Sequence, residues 1–269
     1  MLHEPKTDAE RQSAGGDLYD DIVRLRSRGE LAALATIVET IGSTPGQVGM
    51  KLLVTESGDM KGTIGGGCVE AEVFDAAREV ARDGRARLLS FEMNEESLPD
   101  EGLVCGGEVR IFIEPIAPPT LLVFGAGHVG KVLTQLAAIA GFRVEIADDR
   151  EEYVSSERFP AAAKRHSGDW IAIFEKLAIP ESAYVVIATR GHQHDATVLR
   201  QVARFRPRYV GMLGSRRKAA LIYEALESEG IDREWLQSVH SPVGLSIGAK
   251  THEEICVSIV AELIAQRRQ

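Results

Sequence analysis

The sequence predicts an α/β protein, with an N-terminal mixed α/β domain followed by a Rossmann-like, doubly wound domain on a parallel sheet. The chain has 269 residues, which is enough for two domains that each bury a core. Residues 115–119 contain three prolines, which continue neither a helix nor a central strand, so we expect the domain boundary there. Beyond it, apolar β runs alternate with helical patterns, as βαβ units require.

Composition and charge exclude several classes of protein. Hydrophobic residues make up 44% and charged residues 26%, which is ordinary globular usage and unlike collagen-like, disordered or disulfide-scaffold chains. The formal net charge of -9 argues against nucleic acid or an anionic membrane as a partner. No apolar run suits a spanning helix and the N-terminus is too polar for a signal peptide, so we expect a cytoplasmic protein.

The first part of the chain divides into a mobile tail, residues 1–17, and an α/β domain, residues 18–116. Apolar spacing predicts a helix that ends at Gly29, and Gly84 is expected to end a second helix. Short β-rich runs predict the strands, including a hairpin around the turn at residues 56–59. The predicted helices cover 18–29 and 68–82, and the predicted strands cover 31–40, 50–55, 60–64, 86–93 and 108–114.

The second domain, residues 117–269, opens with a glycine fingerprint typical of a Rossmann dinucleotide site. The strand 121–124 leads into Gly125, Gly127 and Gly130, and a helix follows. The next strand ends in Asp148, which we expect to accept a hydrogen bond from a ribose 2′-hydroxyl; Arg150 beside it leaves the choice between NAD and NADP open. Alternatively, the glycines only turn the chain. The predicted nucleotide-binding residues are Gly125, Gly127, His128, Gly130 and Asp148.

A second candidate anion site lies at Ser215, Arg216, Arg217 and Lys218, after the strand 209–213. Three cations at a helix start oppose the positive end of the helix dipole, which predicts a bound phosphate or carboxylate there. A solvated basic face is the alternative.

A polar cluster of His192, His194 and Asp195 follows another predicted strand, at the edge where doubly wound sheets bind ligands. We favour a polar ligand or a helix cap over a metal site there. The last helix is expected to begin at Thr251 with a capping box to Glu254, and to carry Cys256 in the core.

The other two cysteines lie beside glycines. Cys68 follows Gly65, Gly66 and Gly67 at a predicted helix start, where amides favour a thiolate, and Cys105 precedes Gly106 and Gly107 in a loop. Both are expected to be accessible, and thiols suit molybdenum better than magnesium or calcium. Incidental small residues in glycine turns are the alternative interpretation.

Five ordered motifs resemble the xanthine dehydrogenase accessory protein (XdhC/CoxI) family, from about residue 18 to the C-terminus. They lie at residues 42–45, 62–70, 105–107, 209–215 and 241–249, with the Rossmann turn between them. The chain departs from the family pattern at Gly46, where an Arg is frequent, and at His252, where a Pro is frequent. The resemblance implies a chaperone that binds molybdenum cofactor (molybdopterin), presents it to a cysteine desulfurase for exchange of an oxo for a sulfido ligand, and delivers it to a xanthine dehydrogenase-type molybdenum hydroxylase.

Three functional hypotheses follow. In the first, a non-catalytic, homodimeric chaperone holds the cofactor, with Cys68 and Cys105 at the molybdenum and Gly65, Gly66, Gly67 and Gly106 at the pterin phosphate. Ser215 and Arg216 join this predicted binding set, and NAD or NADP is an additional candidate ligand. The second is an NAD(P)-dependent oxidoreductase that uses the cluster at residues 192–195 for proton transfer. The third is a nucleotide-sensing regulatory module.

Overall fold

The computed structural model describes residues 17–93 and 106–268. The predicted mobile tail, except Asp17, and the predicted site residue Cys105 lie outside the described residues. The chain divides into two compact units between Pro118 and Pro119. None of the helices described is long and apolar enough to cross a membrane.

The first unit is an antiparallel sheet with a helix on each face, which confirms the predicted mixed α/β domain. The strands are β1 (Ala32–Ile41), β2 (Lys51–Thr55), β3 (Met60–Gly62), β4 (Arg87–Met93) and β5 (Gly107–Pro115), in the order β3-β2-β1-β5-β4. The helices are α1 (Leu18–Arg28) and α2 (Gly67–Asp83). As predicted, Gly29 and Gly84 end them in the left-handed conformation, which glycine adopts without steric cost.

Alternation along the strands decides which side chains each helix covers. In β5, Val109, Ile111 and Ile113 are buried while the residues between them are exposed. They pack in one cluster with the buried stripe of α2, which includes Val73 and Ala77. On the opposite sheet face, Leu25 of α1 packs in a second cluster with Leu34, Leu53 and Ile116.

The second unit is a five-stranded parallel sheet, as predicted for a doubly wound domain. Its strands are β6 (Thr120–Phe124), β7 (Arg143–Asp148), β8 (Lys164–Ser167), β9 (Tyr184–Ile187) and β10 (Tyr209–Met212), in the order β10-β9-β6-β7-β8. Its helices are α3 (His128–Ile139), α4 (Trp170–Lys176), α5 (His192–Val202), α6 (Arg216–Ser228), α7 (Arg233–Ser238) and α8 (His252–Arg268).

Helices cover both faces of this sheet and leave its carboxyl edge for ligands. Leu122 and Phe124 of β6 pack in the cluster with α4, α5, α6 and α7, while Leu121 and Val123 pack in the cluster with α3 and α8. The strand order reverses between β6 and β9, and in such sheets ligands bind beyond the carboxyl ends at this switch point. The glycine fingerprint after β6 lies there.

Candidate functional site

The three fingerprint glycines have different surroundings. A Cβ on Gly125 would lie 2.1 Å from the Ala188 carbonyl oxygen, and a Cβ on Gly130 would lie 1.9 Å from the Gly125 carbonyl oxygen. A Cβ on Gly127 would meet no atom within 4 Å. Gly125 and Gly130 therefore allow the strand ends and α3 to pack, whereas Gly127 borders open space that a ligand can approach.

Asp148 lies at the expected end of β7, but its carboxylate is already engaged. Oδ1 accepts hydrogen bonds from the Arg150 amide (3.0 Å) and Nε (2.8 Å), and Oδ2 accepts from the Ala126 amide (2.7 Å) and Arg150 Nη2 (3.0 Å). A carboxylate offers about four acceptor positions, and all are used. Burial opposes ionisation of Asp148, yet the hydrogen bonds from Arg150 and the two amides hold its pKa below the ordinary value.

The guanidinium of Arg150 is itself held in place. It stacks on the Tyr153 ring at 3.7 Å from the centroid, and Arg158 lies over the same ring at 4.9 Å. A ribose hydroxyl can bond to Asp148 only after Arg150 moves away. The predicted ribose contact of Asp148 therefore stays a prediction, and sequence reasoning missed the part of Arg150 as its partner.

A cavity of about 660 Å³ lies in the second unit, next to the glycine turn and the end of β10. We call it the His252 cavity. Its lining includes Val129, Leu213, Arg216, His252, Ile255 and the loop 242–249. The His252 ring is stacked on His128, with ring centroids 5.5 Å apart and planes 12° apart. The predicted nucleotide-binding residue His128 is thereby placed beside this cavity.

A buried carboxylate fixes the loop that forms one wall of the cavity. Glu262 of α8 accepts hydrogen bonds from Tyr209 Oη (2.8 Å) and the Gly244 amide (2.5 Å), and it pairs with His240 Nδ1 (2.7 Å). Burial and the neighbouring Glu262 raise the pKa of Tyr209, so its hydroxyl stays a donor. The loop is thus anchored at its start before it reaches the cavity. At its end, the predicted capping box is confirmed by the reciprocal bonds of Thr251 and Glu254.

The predicted basic helix start divides into one paired cation and two without ion pairs. Ser215 caps α6, because its hydroxyl accepts the Lys218 amide (3.3 Å). Lys218 Nζ forms an ion pair with the buried Asp195. Within the described residues, Arg216 and Arg217 make no hydrogen bond or ion pair. Arg216 lines the His252 cavity, while Arg217 lines a separate groove between α5 and α6.

In the cluster at residues 192–195, Asp195 and His194 contact different partners. Asp195 accepts from the Thr189 amide (3.2 Å) and hydroxyl (2.5 Å), and so fixes the loop after β9. His194 lies between Trp170 Nε1, 2.9 Å from its Nδ1, and Arg190 Nε, 3.1 Å from its Nε2. Among residues 17–93 and 106–268, no three His, Cys, Asp or Glu side chains are grouped closely enough to hold a metal ion.

In the first unit, a glycine turn presents Cys68 at the start of α2. Gly65, Gly66 and Gly67 all have positive φ, at 117°, 78° and 72°. Glu70 Oε2 closes the turn by accepting hydrogen bonds from Thr63 Oγ1 (2.6 Å) and the amides of Ile64 (3.0 Å) and Gly66 (3.1 Å). Although burial opposes ionisation, these bonds hold the pKa of Glu70 below its ordinary value.

Cys68 is exposed, as predicted, and the loop 42–46 lies against the glycine turn that precedes it. A Cβ on Gly65 would lie 2.8 Å from the Gly46 amide nitrogen, and a Cβ on Gly42 would lie 2.8 Å from the Gly106 carbonyl oxygen. The loop therefore packs against both the turn before Cys68 and the residue after Cys105. A Cβ on Gly66 or on Gly106 would meet no atom within 4 Å.

Cys256 has the predicted core position. It is fully buried, and its thiol donates to the Val129 carbonyl oxygen at 3.3 Å. Burial raises the pKa of Cys256 to about 11, so the thiol stays protonated.

Sequence reasoning missed the role of Glu70 in the glycine turn before Cys68. An acidic residue in the first turn of a helix that follows a glycine turn is the signal that could have identified it.

Comparison with known proteins decides the family. Residues 121–263, more than half of the chain, match the XdhC Rossmann domain, and residues 25–92 match the XdhC and CoxI family. The chain belongs to the XdhC and CoxI family. A crystal structure of a xanthine dehydrogenase from Bacillus halodurans aligns with a TM-score of 0.52 and 23% identity, over 92% of this chain and 96% of that one, which shows that the two share a fold.

Three curated proteins are similar to this XdhC-family chain. YqeB of Escherichia coli, described as uncharacterized, is 33% identical over 92% of this chain, which spans only 46% of YqeB. A protein of Bacillus subtilis described as a probable xanthine dehydrogenase subunit is 25% identical over 94% of this chain and 98% of its own length. The molybdenum cofactor insertion chaperone PaoD of E. coli is 26% identical over 89% of this chain and 84% of PaoD.

Proposed function

We propose that this chain is an accessory chaperone that binds molybdenum cofactor, supports its sulfuration by a cysteine desulfurase, and inserts it into a xanthine dehydrogenase-type molybdenum hydroxylase. Its family and the names of two relatives, a probable xanthine dehydrogenase subunit in one case and a molybdenum cofactor insertion chaperone in the other, support the proposal. The observation that carries it is the exposed thiol of Cys68 at the start of α2, within a turn that Glu70 holds in shape.

The chemistry of this turn fits such a cargo. A thiolate is a soft ligand that suits molybdenum, and the backbone amides at a helix start attract an anionic group. Gly66 and Gly106 leave space where a side chain would otherwise stand, so a bulky cofactor can approach the backbone. In this proposal, Cys68 and Cys105 contact the molybdenum end, and the residues of the turn at Gly65, Gly66 and Gly67 contact the phosphate.

An NAD(P)-dependent oxidoreductase has less support. The carboxylate expected to hold a ribose is filled by Arg150 and the Ala126 amide. In the cluster at residues 192–195, the proton-transfer candidate, His194 contacts Trp170 and Arg190, and Asp195 is held by Thr189 and Lys218. His192 is exposed. A nucleotide held by Asp148 and a proton transferred by His194 would both require that these contacts are first displaced.

The test is copurification of the cofactor. The chain is expressed in cells that make molybdenum cofactor, and bound molybdenum and oxidised pterin are measured after purification, together with activation of the client hydroxylase. We expect Cys68→Ala to lower all three by about tenfold, which is about 1.4 kcal/mol of binding free energy. Cys256→Ala, which changes a buried thiol, is the matched control and should retain the parent's values.

Two outcomes would count against the proposal. Normal molybdenum content in Cys68→Ala, with the fold verified by circular dichroism, would remove the thiol contact. A parent protein that carries neither molybdenum nor pterin and activates no client would remove the chaperone function. Light scattering on the same preparation tests the expected homodimer.

A further inference from the structure

We propose that the His252 cavity binds a planar heterocycle that carries a phosphate monoester. This site lies in the second unit. The proposed function assigns both the molybdenum and the phosphate of the cofactor to the Cys68 turn, so the ligand of the cavity is a second compound. Pterin phosphates and nucleoside monophosphates share this chemistry, and the experiment below separates the two sources.

The size and lining of the cavity suit a small aromatic ligand. Its volume of about 660 Å³ is within the roughly 300–1,000 Å³ typical of small-molecule sites. Apolar side chains, including Val129, Leu213 and Ile255, form much of the lining, and a few polar groups such as Arg216 and His252 interrupt it. Apolar walls with a few fixed polar groups are the usual way in which a protein binds a ring and sets its orientation.

The two stacked histidines supply a flat surface. The rings of His128 and His252 are nearly parallel, 12° apart, and their centroids are separated by 5.5 Å. Neither imidazole makes a hydrogen bond within the part of the chain that the structure describes. Both rings are exposed, so the His252 ring, which lines the cavity, can stack on or hydrogen-bond to a heterocycle.

Arg216 supplies the charge for a phosphate. It is exposed, lines the cavity and has no ion pair among the described residues. It stands in the first turn of α6, where the helix dipole makes a lone cation unfavourable unless an anion binds. Lys218, in the same turn, is paired with Asp195, so Arg216 is the cation of this turn that remains available on the cavity side.

The contacts of Asp148 and Arg150, at the end of β7, favour a monophosphate over a full dinucleotide as the ligand. In a Rossmann dinucleotide site, the acidic residue after the second strand holds the adenosine ribose. Here the acceptors of Asp148 are occupied and Arg150 is stacked on Tyr153. NAD⁺ would have to displace these contacts, whereas a compound confined to the His252 cavity would not.

Isothermal titration calorimetry of the full chain tests the site with defined probes. These are an oxidised pterin with a side-chain phosphate monoester, the same pterin after phosphatase treatment, AMP, nicotinamide mononucleotide and NAD⁺. We expect the pterin phosphate or a mononucleotide to bind, the dephosphorylated pterin to bind at least tenfold more weakly, and NAD⁺ to bind more weakly than the best monophosphate. Binding of the pterin phosphate alone identifies the pterin source, and binding of mononucleotides alone identifies the nucleotide source.

Neighbouring cations provide the matched variants. Arg216→Ala and His252→Ala should each weaken the best probe by tenfold or more, while Arg217→Ala, which changes the adjacent arginine outside the cavity, should stay within about twofold. No binding of any monophosphate, or an equal loss in Arg216→Ala and Arg217→Ala, would overturn the proposal. If molybdenum still copurifies in that case, the chaperone function stands; if AMP binds but no molybdenum copurifies, the cavity stands without it.

Discussion

The fingerprint predicts that Asp148 binds a ligand, whereas in the structure its carboxylate binds Arg150 and the Ala126 amide of the glycine turn. The fingerprint spacing predicted its place at the end of β7, and the structure puts it there. The spacing could not predict that the Arg150 side chain folds back onto the carboxylate and stacks on Tyr153, because a glycine fingerprint does not determine side-chain conformations. The carboxylate is 2% exposed and ionised, so it contributes to the stability of the folded state.

Replacement of this carboxylate should destabilise the second unit in a pH-dependent way. We expect Asp148→Asn to lower the free energy of unfolding by about 3 kcal/mol near neutral pH, because Arg150 loses a buried ion-pair partner. The folded pKa of Asp148 lies below the unfolded value of about 3.9, so its contribution is present above that pH and is lost as the pH falls through the folded pKa. The gap between variant and parent should therefore narrow below about pH 4.

Thermal or urea unfolding from pH 7 to pH 3 measures that gap. Asp149→Asn is the matched control, since its carboxylate pairs with the half-exposed Arg190, and it should cost less than about 1 kcal/mol. A gap that stays constant down to pH 3, or an equal cost for both variants, would contradict the assigned role of Asp148.

At the scale of elements, the sequence predicted those with strong local signals. The apolar strands of the second sheet and the helix ends at Gly29 and Gly84 are where the pattern placed them. It gave no signal for β8, whose residues Lys164–Ser167 are polar and lie at the sheet edge. It also could not give the pairing of β1 with β5, since no local pattern records which distant strands meet.

Substitution by alanine should have opposite effects on stability at Gly127 and Gly130, two of the three fingerprint glycines. Gly127→Ala should leave the free energy of unfolding within about 1 kcal/mol of the parent, because its φ of -75° suits any residue and its Cβ would enter open space. Gly130→Ala should cost at least about 2 kcal/mol, because its Cβ would lie 1.9 Å from the Gly125 carbonyl oxygen.

Chemical denaturation of both variants measures the difference, and titration with the best monophosphate probe shows whether Gly127→Ala weakens binding while the fold persists. Equal destabilisation by the two substitutions would show that Gly127 is also a packing glycine. Normal probe binding by a folded Gly127→Ala would place the phosphate away from this turn.

Net charge and local ion pairs together decide where this protein can bind an anion. A net charge of -9 gives the chain no overall attraction for anions, so a bound phosphate needs local groups such as Arg216. Composition alone predicts the net charge. It could not predict which cation is available to a phosphate, because tertiary contacts decide that Lys218 pairs with Asp195. The position of Cys105 relative to Cys68 stays a prediction, because Cys105 lies outside the described residues.

Because no buried hydrophobic cluster of the described residues spans the two units, we expect the second unit to fold on its own. Each of the four buried clusters draws its residues from one side of the Pro118–Pro119 division, so a fragment of residues 119–269 keeps both of its cores complete. We expect this fragment to unfold cooperatively in calorimetry and to bind the best monophosphate probe within about threefold of the full chain. Because it lacks Cys68, it should copurify with little molybdenum. A fragment that is unfolded would show that the first unit supplies part of its stability, and a fragment that retains the full molybdenum content would move the metal contact away from Cys68.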